Sequence, residues 1–194
     1  MFDAFRFALT SLPTVEGTVG LNYLHIDERT RRFMLLELED DIASGKLYIS
    51  PRLSSGAIAQ YPDLLRKAFA THTDDWLAAQ LDQPGIFVSH ETRTRNGNTF
   101  QARVPVNAGE TLAEGEFNRF YMRGLCQVSR EDGNHIVVVY RAKDVATPRP
   151  KSVALIGQEF HVETLLLDLQ TSQYCDAALG LPPGPNSGLS VRFR

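Results

Sequence analysis

The stretch NAGETLAEGEFNRFYMRGLCQVSRED, residues 107–132, limits the possible folds of this chain more than any other. Asn107 followed three residues later by Glu110 has the form of a capping box, which marks a helix start. Ala113, Phe117, Phe120, Tyr121, Gly124, Leu125 and Val128 then recur at helical spacing and make one apolar stripe. Glu116, Arg119, Arg123, Gln127 and Arg130 make a second, polar stripe on the opposite side. The pattern predicts a long helix with its apolar side on a sheet and its guanidinium groups outward. On that reading Arg119→Ala costs little and Phe120→Ala costs about 3 to 5 kcal/mol. Gly115 and Gly124 each weaken an exposed helix by about 1 kcal/mol relative to Ala. Their presence calls for close approach by another backbone.

The sheet partner follows directly. HIVVVYRA, residues 135–142, is β-branched and nearly continuous in apolar side chains, as expected of a strand covered on both faces. FVSHETRTRNGNTFQARVPV contains Asn96-Gly97, the turn pair of a tight hairpin, between polar arms holding Arg93, Arg95 and Arg103. Such arms are either solvated or pressed against another molecule. Upstream, DERTRRFMLLELEDDIAS predicts a helix over 27–44, with Phe33, Leu36 and Ile42 at near-helical spacing and Gly45 as its stop. Its arginines lie early and its acids late, against the helix dipole, so either i,i+4 pairs on a solvated face or an intermolecular charge contact must compensate. YPDLLRKAFA suggests a helix starting at Pro62, and a second short helix opens at Thr73 and carries Trp76 as a packing residue. Residues 4–9 suit a short strand. Residues 162–170 suit a helix facing inward through Val162, Leu165, Leu166 and Leu169, and GLSVRF suits a closing strand after the rigid, extended LGLPPGPNSG loop. Pro148 and Pro150 predict an extended path through VATPRPK.

Twenty Lys and Arg against twenty-three Asp and Glu give a net charge of −3, which excludes a generally basic nucleic-acid coat. Positive charge is concentrated locally: seven basic residues against four acids lie between Glu116 and Lys151. Glu116, Arg119, Arg123, Arg141, Lys143 and Arg149 are therefore the candidate interaction or anion-binding residues, since guanidinium groups can hold a phosphate with two parallel hydrogen bonds. Intrahelical salt bridges are the plain structural alternative for the same side chains. Cys126 and Cys175 lack CxxC spacing and read as buried thiols rather than a disulfide or zinc site. The five histidines are scattered, and His90-Glu91 lacks a second histidine at helical spacing. LPPGPNSG lacks the GK[ST] of a phosphate loop, and Ser187 has no neighbouring base in sequence. No catalytic residue, cofactor or metal is expected. The first residues lack the uninterrupted apolar core of a secretory signal, and no apolar run approaches bilayer length, which together suggest a cytoplasmic protein.

The runs LELEDDIASGKLYISPRLS, EGEFNRFYMRGLC and VVVYRAKDVATPRPKSVALIG resemble a group of uncharacterised proteins encoded by bacteriophages and prophages of high-GC bacteria. The likeness covers residues 34–157 and transfers no catalytic residue; it implies a virion or assembly context in a bacterial host cell. The expectation is a single α+β domain over 1–194, with 27–83 as a candidate helical subdomain. It holds a small mixed sheet packed by the central helix, a β-hairpin and a helical N-terminal portion. Its expected role is a non-enzymatic interaction protein, a phage structural or head-assembly component that associates with itself or with virion proteins. The alternative is a nucleic-acid-binding or processing protein that uses the local basic patch.

Overall fold

Helix α4, Ala108–Glu131, runs through the middle of the molecule, and the other elements are arranged around it. The computed structural model describes residues 20–182 and 187–194; the strand expected over 4–9 and the centre of the Pro/Gly-rich loop lie outside them. Among the described residues three helices precede α4: α1 (Glu28–Ala43), α2 (Ser55–Thr71) and α3 (Asp74–Leu81). The hairpin β1 (His90–Arg95) and β2 (Asn98–Arg103) stands between α3 and α4. After α4 come β3 (Ile136–Arg141), α5 (Pro150–Ala154), β4 (Glu159–His161), α6 (Val162–Thr171), α7 (Cys175–Ala178) and β5 (Leu189–Phe193). The fold is α+β.

The sheet has the order β4-β3-β5, and both pairings are antiparallel where a mixed sheet was expected. The chain can return this way because β3 and β4 are joined by a loop and the short helix α5 rather than by a parallel crossover. Val137, Val138 and Val139 on the central strand are all buried, so both faces of β3 are covered. Buried Asn118 ties α4 to the sheet: its amide donates to the Leu189 carbonyl at 2.8 Å and its oxygen accepts from Ser190 Oγ at 2.7 Å. Such bonds offset the cost of burying an amide.

The apolar stripe predicted for α4 is buried throughout, from Ala113 to Val128. Phe117 and Phe120 meet Phe69 of α2 with ring centroids 5.5 and 5.0 Å apart. Tyr23 packs on Phe117 and Tyr121. A single apolar core joins Met34 and Leu38 of α1 to Val137 and Val191 of the sheet. Gly124 meets the expectation of a close approach: a Cβ there would lie 2.8 Å from the Thr30 carbonyl and 3.0 Å from Met34, both on α1. The four residues expected to face inward on α6 are buried, and Asn96 and Gly97 take the positive φ values, 51° and 78°, that close a tight hairpin.

Several local expectations need correction. The α1 face that packs inward is Thr30, Met34, Glu37, Leu38 and Asp41, while Leu36 is exposed. That face is selected by cations on α4 as well as by apolar surface. Helix α2 begins at Ser55, with Ser54 Oγ accepting from the Ala57 N–H at 3.3 Å, so Pro62 lies inside the helix instead of starting it. Pro150 opens α5, the position where a missing N–H is harmless, so the extended path ends there. Neither Asn107 nor Thr73 makes a side-chain capping bond.

The segment entering α1 is held by a buried carboxylate. Asp74, 1% exposed, accepts from the Leu21 N–H at 2.9 Å and from Tyr23 Oη at 3.3 Å, while its other oxygen has no partner among the described residues. Burial pushes its carboxyl up to about 6, opposed by the Leu21 N–H and reinforced by the charges of Asp75 and Glu114. The folded-state value thus lies above the unfolded one. This group favours folding most when protonated, and that contribution is lost as pH rises from about 4 through about 6. Asp74→Asn should therefore gain stability on wild type as pH rises across that window, read from urea unfolding at each pH. Phe120→Ala should cost about 3 to 5 kcal/mol in the same measurement, because its ring is fully buried between α2 and α4.

Candidate functional site

The polar stripe of α4 is inside the protein over much of its length. Glu116, Arg119 and Arg123 are 2%, 3% and 1% exposed, which corrects the expectation that their charges face outward. Arg123 Nε donates to Glu37 Oε2 at 2.8 Å, and its Nη1 and Nη2 donate to the two Asp41 oxygens at 2.7 and 2.9 Å. Gln127 and Gln170 donate to the remaining Glu37 lone pairs at 2.5 and 2.9 Å. Arg119 grips Glu116 through Nε at 3.3 Å and Nη2 at 2.7 Å, and its Nη1 lies 3.6 Å from Asp41. Both guanidiniums also lie over the Phe120 ring, 4.6 and 4.7 Å from its centroid.

This network answers the inverted charge pattern of α1. Glu37 and Asp41 sit late in that helix because they are the counter-charges of α4, and the compensating contact is intramolecular. With every group ionised, Glu37, Asp41 and Glu116 outnumber the two guanidiniums by one negative charge. Burial pushes the Glu116 carboxyl upward against the pull of Arg119. Burial also works against the Arg119 charge, but Glu116 and Asp41 outweigh it and raise its pKa.

The other three candidates lie away from this network, Lys143 in one cluster and Arg141 with Arg149 in another that is joined through Ser187 and Ser152. Lys143 is held by Glu110, at 2.9 Å, and by Glu114, both on the first turns of α4. Arg141 donates to the Ser187 carbonyl at 2.7 Å and to Ser152 Oγ at 3.4 Å. Arg149 pairs with Asp176 and donates to the Pro182 carbonyl at 3.2 Å; Asp176 also accepts from Ser187 Oγ at 2.5 Å. These bonds fasten α5, α7 and the approach to β5. The structure therefore does not join the six residues into one anion-binding patch, because most of their donors are already directed at partners within the chain.

Two of the surfaces open to solvent combine charged and aromatic side chains. The first is a cavity of about 250 Å³ with Tyr48, Arg52, Glu91, Glu116, Tyr174 and Cys175 in its lining. Of these, sequence singled out Glu116 and Cys175 and named Glu91 only in a rejected metal pair; Tyr48, Arg52 and Tyr174 belong to no recognisable motif. Burial pushes both thiols, Cys126 and Cys175, above their usual range, which disfavours the thiolate form. The second surface is the hairpin, whose residues are exposed on both faces except for the half-buried Glu91 and Ala102. Arg52 braces its base, donating to Glu91 at 2.7 and 3.2 Å. Among the described residues no cluster of His, Cys, Asp and Glu could hold a metal ion, and no helix is long and apolar enough to cross a membrane.

No family model matches the chain, and comparison with curated proteins and with solved structures finds no significant match. The arrangement of side chains thus carries the functional argument alone.

Breaking the ionic network from one side should be severe. Arg123→Ala leaves Glu37 and Asp41 buried without their cation and should lower unfolding free energy by about 3 to 5 kcal/mol, measured by urea denaturation.

Proposed function

We propose that the protein is a non-enzymatic interaction protein that self-associates through its β1–β2 hairpin, as a component of a phage virion or of its head assembly. The hairpin is the observation that carries this reading. An isolated pair of strands is marginal in water, yet this one projects with both faces uncovered and places Phe100, 45% exposed, among polar neighbours. Among the described residues neither of its long edges pairs with a further strand, and such an edge can accept one.

Charge favours a second copy as the occupant. Residues 90–103 carry a net +2, leaving −5 on the rest of a chain whose total is −3. Glu91 is neutralised within the arm and by Arg52, whereas Arg95 and Arg103 have no ion-pair partner among the described residues. A basic arm meeting the acidic body of the next copy is a head-to-tail contact, the kind that closes into rings or extends into filaments. The resemblance to phage-encoded proteins supplies the setting. Internal pairing of the six sequence candidates favours this reading over nucleic-acid binding through them.

Sedimentation velocity over a range of salt tests the proposal. The wild-type chain should form dimers or larger species that dissociate as salt is added. The double variant Arg95→Glu/Arg103→Glu should be monomeric with an unchanged melting temperature. A wild-type chain that stays monomeric at high concentration and is absent from purified phage particles overturns the proposal. So does steeply salt-dependent binding to DNA or RNA that the double variant loses, since the arm would then serve a nucleic acid.

A further inference from the structure

We propose that the cavity between Tyr48, Tyr174 and Glu116 is a binding site for a small organic cation bearing a primary ammonium group. Three independent features converge there. The cavity, about 250 Å³, has room for a compact ligand. Its lining includes a carboxylate that is 2% exposed and held by Arg119, leaving lone-pair directions of the carboxylate for another donor. Two tyrosines, with ring centroids 6.4 Å apart and planes at 58°, supply the aromatic walls that favour a cation.

The charge balance of the interior explains why the ligand should be positive. Arg123 is held by both Glu37 and Asp41, and Arg119 holds Glu116 through two donors with Asp41 3.6 Å away, so three carboxylates share two guanidiniums, and of the three Glu116 is the one in this cavity's lining. An ammonium group placed against Glu116 restores neutrality and gains a charge-assisted hydrogen bond. Arg52 is also in the lining, but Glu91 already accepts from its Nε and Nη2. An anion would have to compete with Glu91 at that end and would meet Glu116 at the other. Anions are therefore disfavoured, and neutral molecules gain no ion pair.

Butylammonium is a suitable probe and butanol its neutral counterpart, both followed by amide chemical shifts of Gly115, Tyr174 and Cys175 in the full chain. Butylammonium should shift these amides in a saturable way at millimolar concentration, and butanol should not. Glu116→Gln should weaken amine binding about tenfold or more. The same variant leaves two carboxylates opposite two guanidiniums, so it should melt at or above the wild-type temperature, whereas a merely structural Glu116 would lower the melting temperature on neutralisation. Tyr174→Ala, at a half-exposed position on the wall, should weaken the amine without disturbing the core and serves if Glu116→Gln misfolds. Equal shifts from butanol, full amine binding by either variant, or no saturable shift in wild type would overturn the assignment.

Discussion

The ion pair between Arg123 and the Glu37–Asp41 edge of α1 is the interaction from which the rest of the architecture can be derived. A guanidinium that is 1% exposed is tolerable only when its donors are occupied, and here two carboxylates one helical turn apart meet it from a single neighbouring helix. That requirement fixes which side of α1 faces α4. It also fixes the distance, because Gly124 lies one residue along α4 and lets the backbone of α1 come to van der Waals contact at Thr30 and Met34. Apolar residues alone could be satisfied by several rotations of α1. The charged edge admits one, so the role this network fits is register.

Once these arginines are committed inside, the distribution of free positive charge changes. The segment with the greatest basic excess in sequence presents little of that charge to partners, since Lys143 and Arg149 are also paired and Arg141 is directed at Ser187 and Ser152. Open guanidiniums are instead found on the hairpin, at positions 95 and 103, where neither face of the sheet is covered. A local sum over sequence counts charge without regard to partners. The structure separates charge spent on holding the fold from charge left for other molecules.

Much of the fold was legible because it depends on local periodicity. The apolar stripe of α4, the valine-rich core strand, the Asn-Gly hairpin and the four inward residues of α6 each rest on spacing within one segment, and each lies where spacing placed it. Burial of the polar stripe was not legible in that way. Arg119 and Arg123 keep the same period whether water or a carboxylate faces them, and the decision lies with residues 78 or more positions earlier. One signal did exist: the late acids of α1 run against its dipole and needed a counter-charge. Sequence reading sought it along the same helix or in another molecule, while the actual partner is α4. The cavity was less legible still, since Tyr48, Glu91, Glu116 and Tyr174 come from four distant segments and form no motif.

Glu91 belongs to both the hairpin and the cavity, as a residue of β1 and as part of the lining. It accepts from Arg52 on the body side and from Arg93 on the arm side, so it anchors the projecting strands to the rest of the chain. Changing Glu91 would therefore disturb the arm and the cavity together and could not assign either function. Residues further from this junction separate them. Arg95 and Arg103 are on the arm and outside the lining, while Glu116 and Tyr174 line the cavity from α4 and the approach to α7.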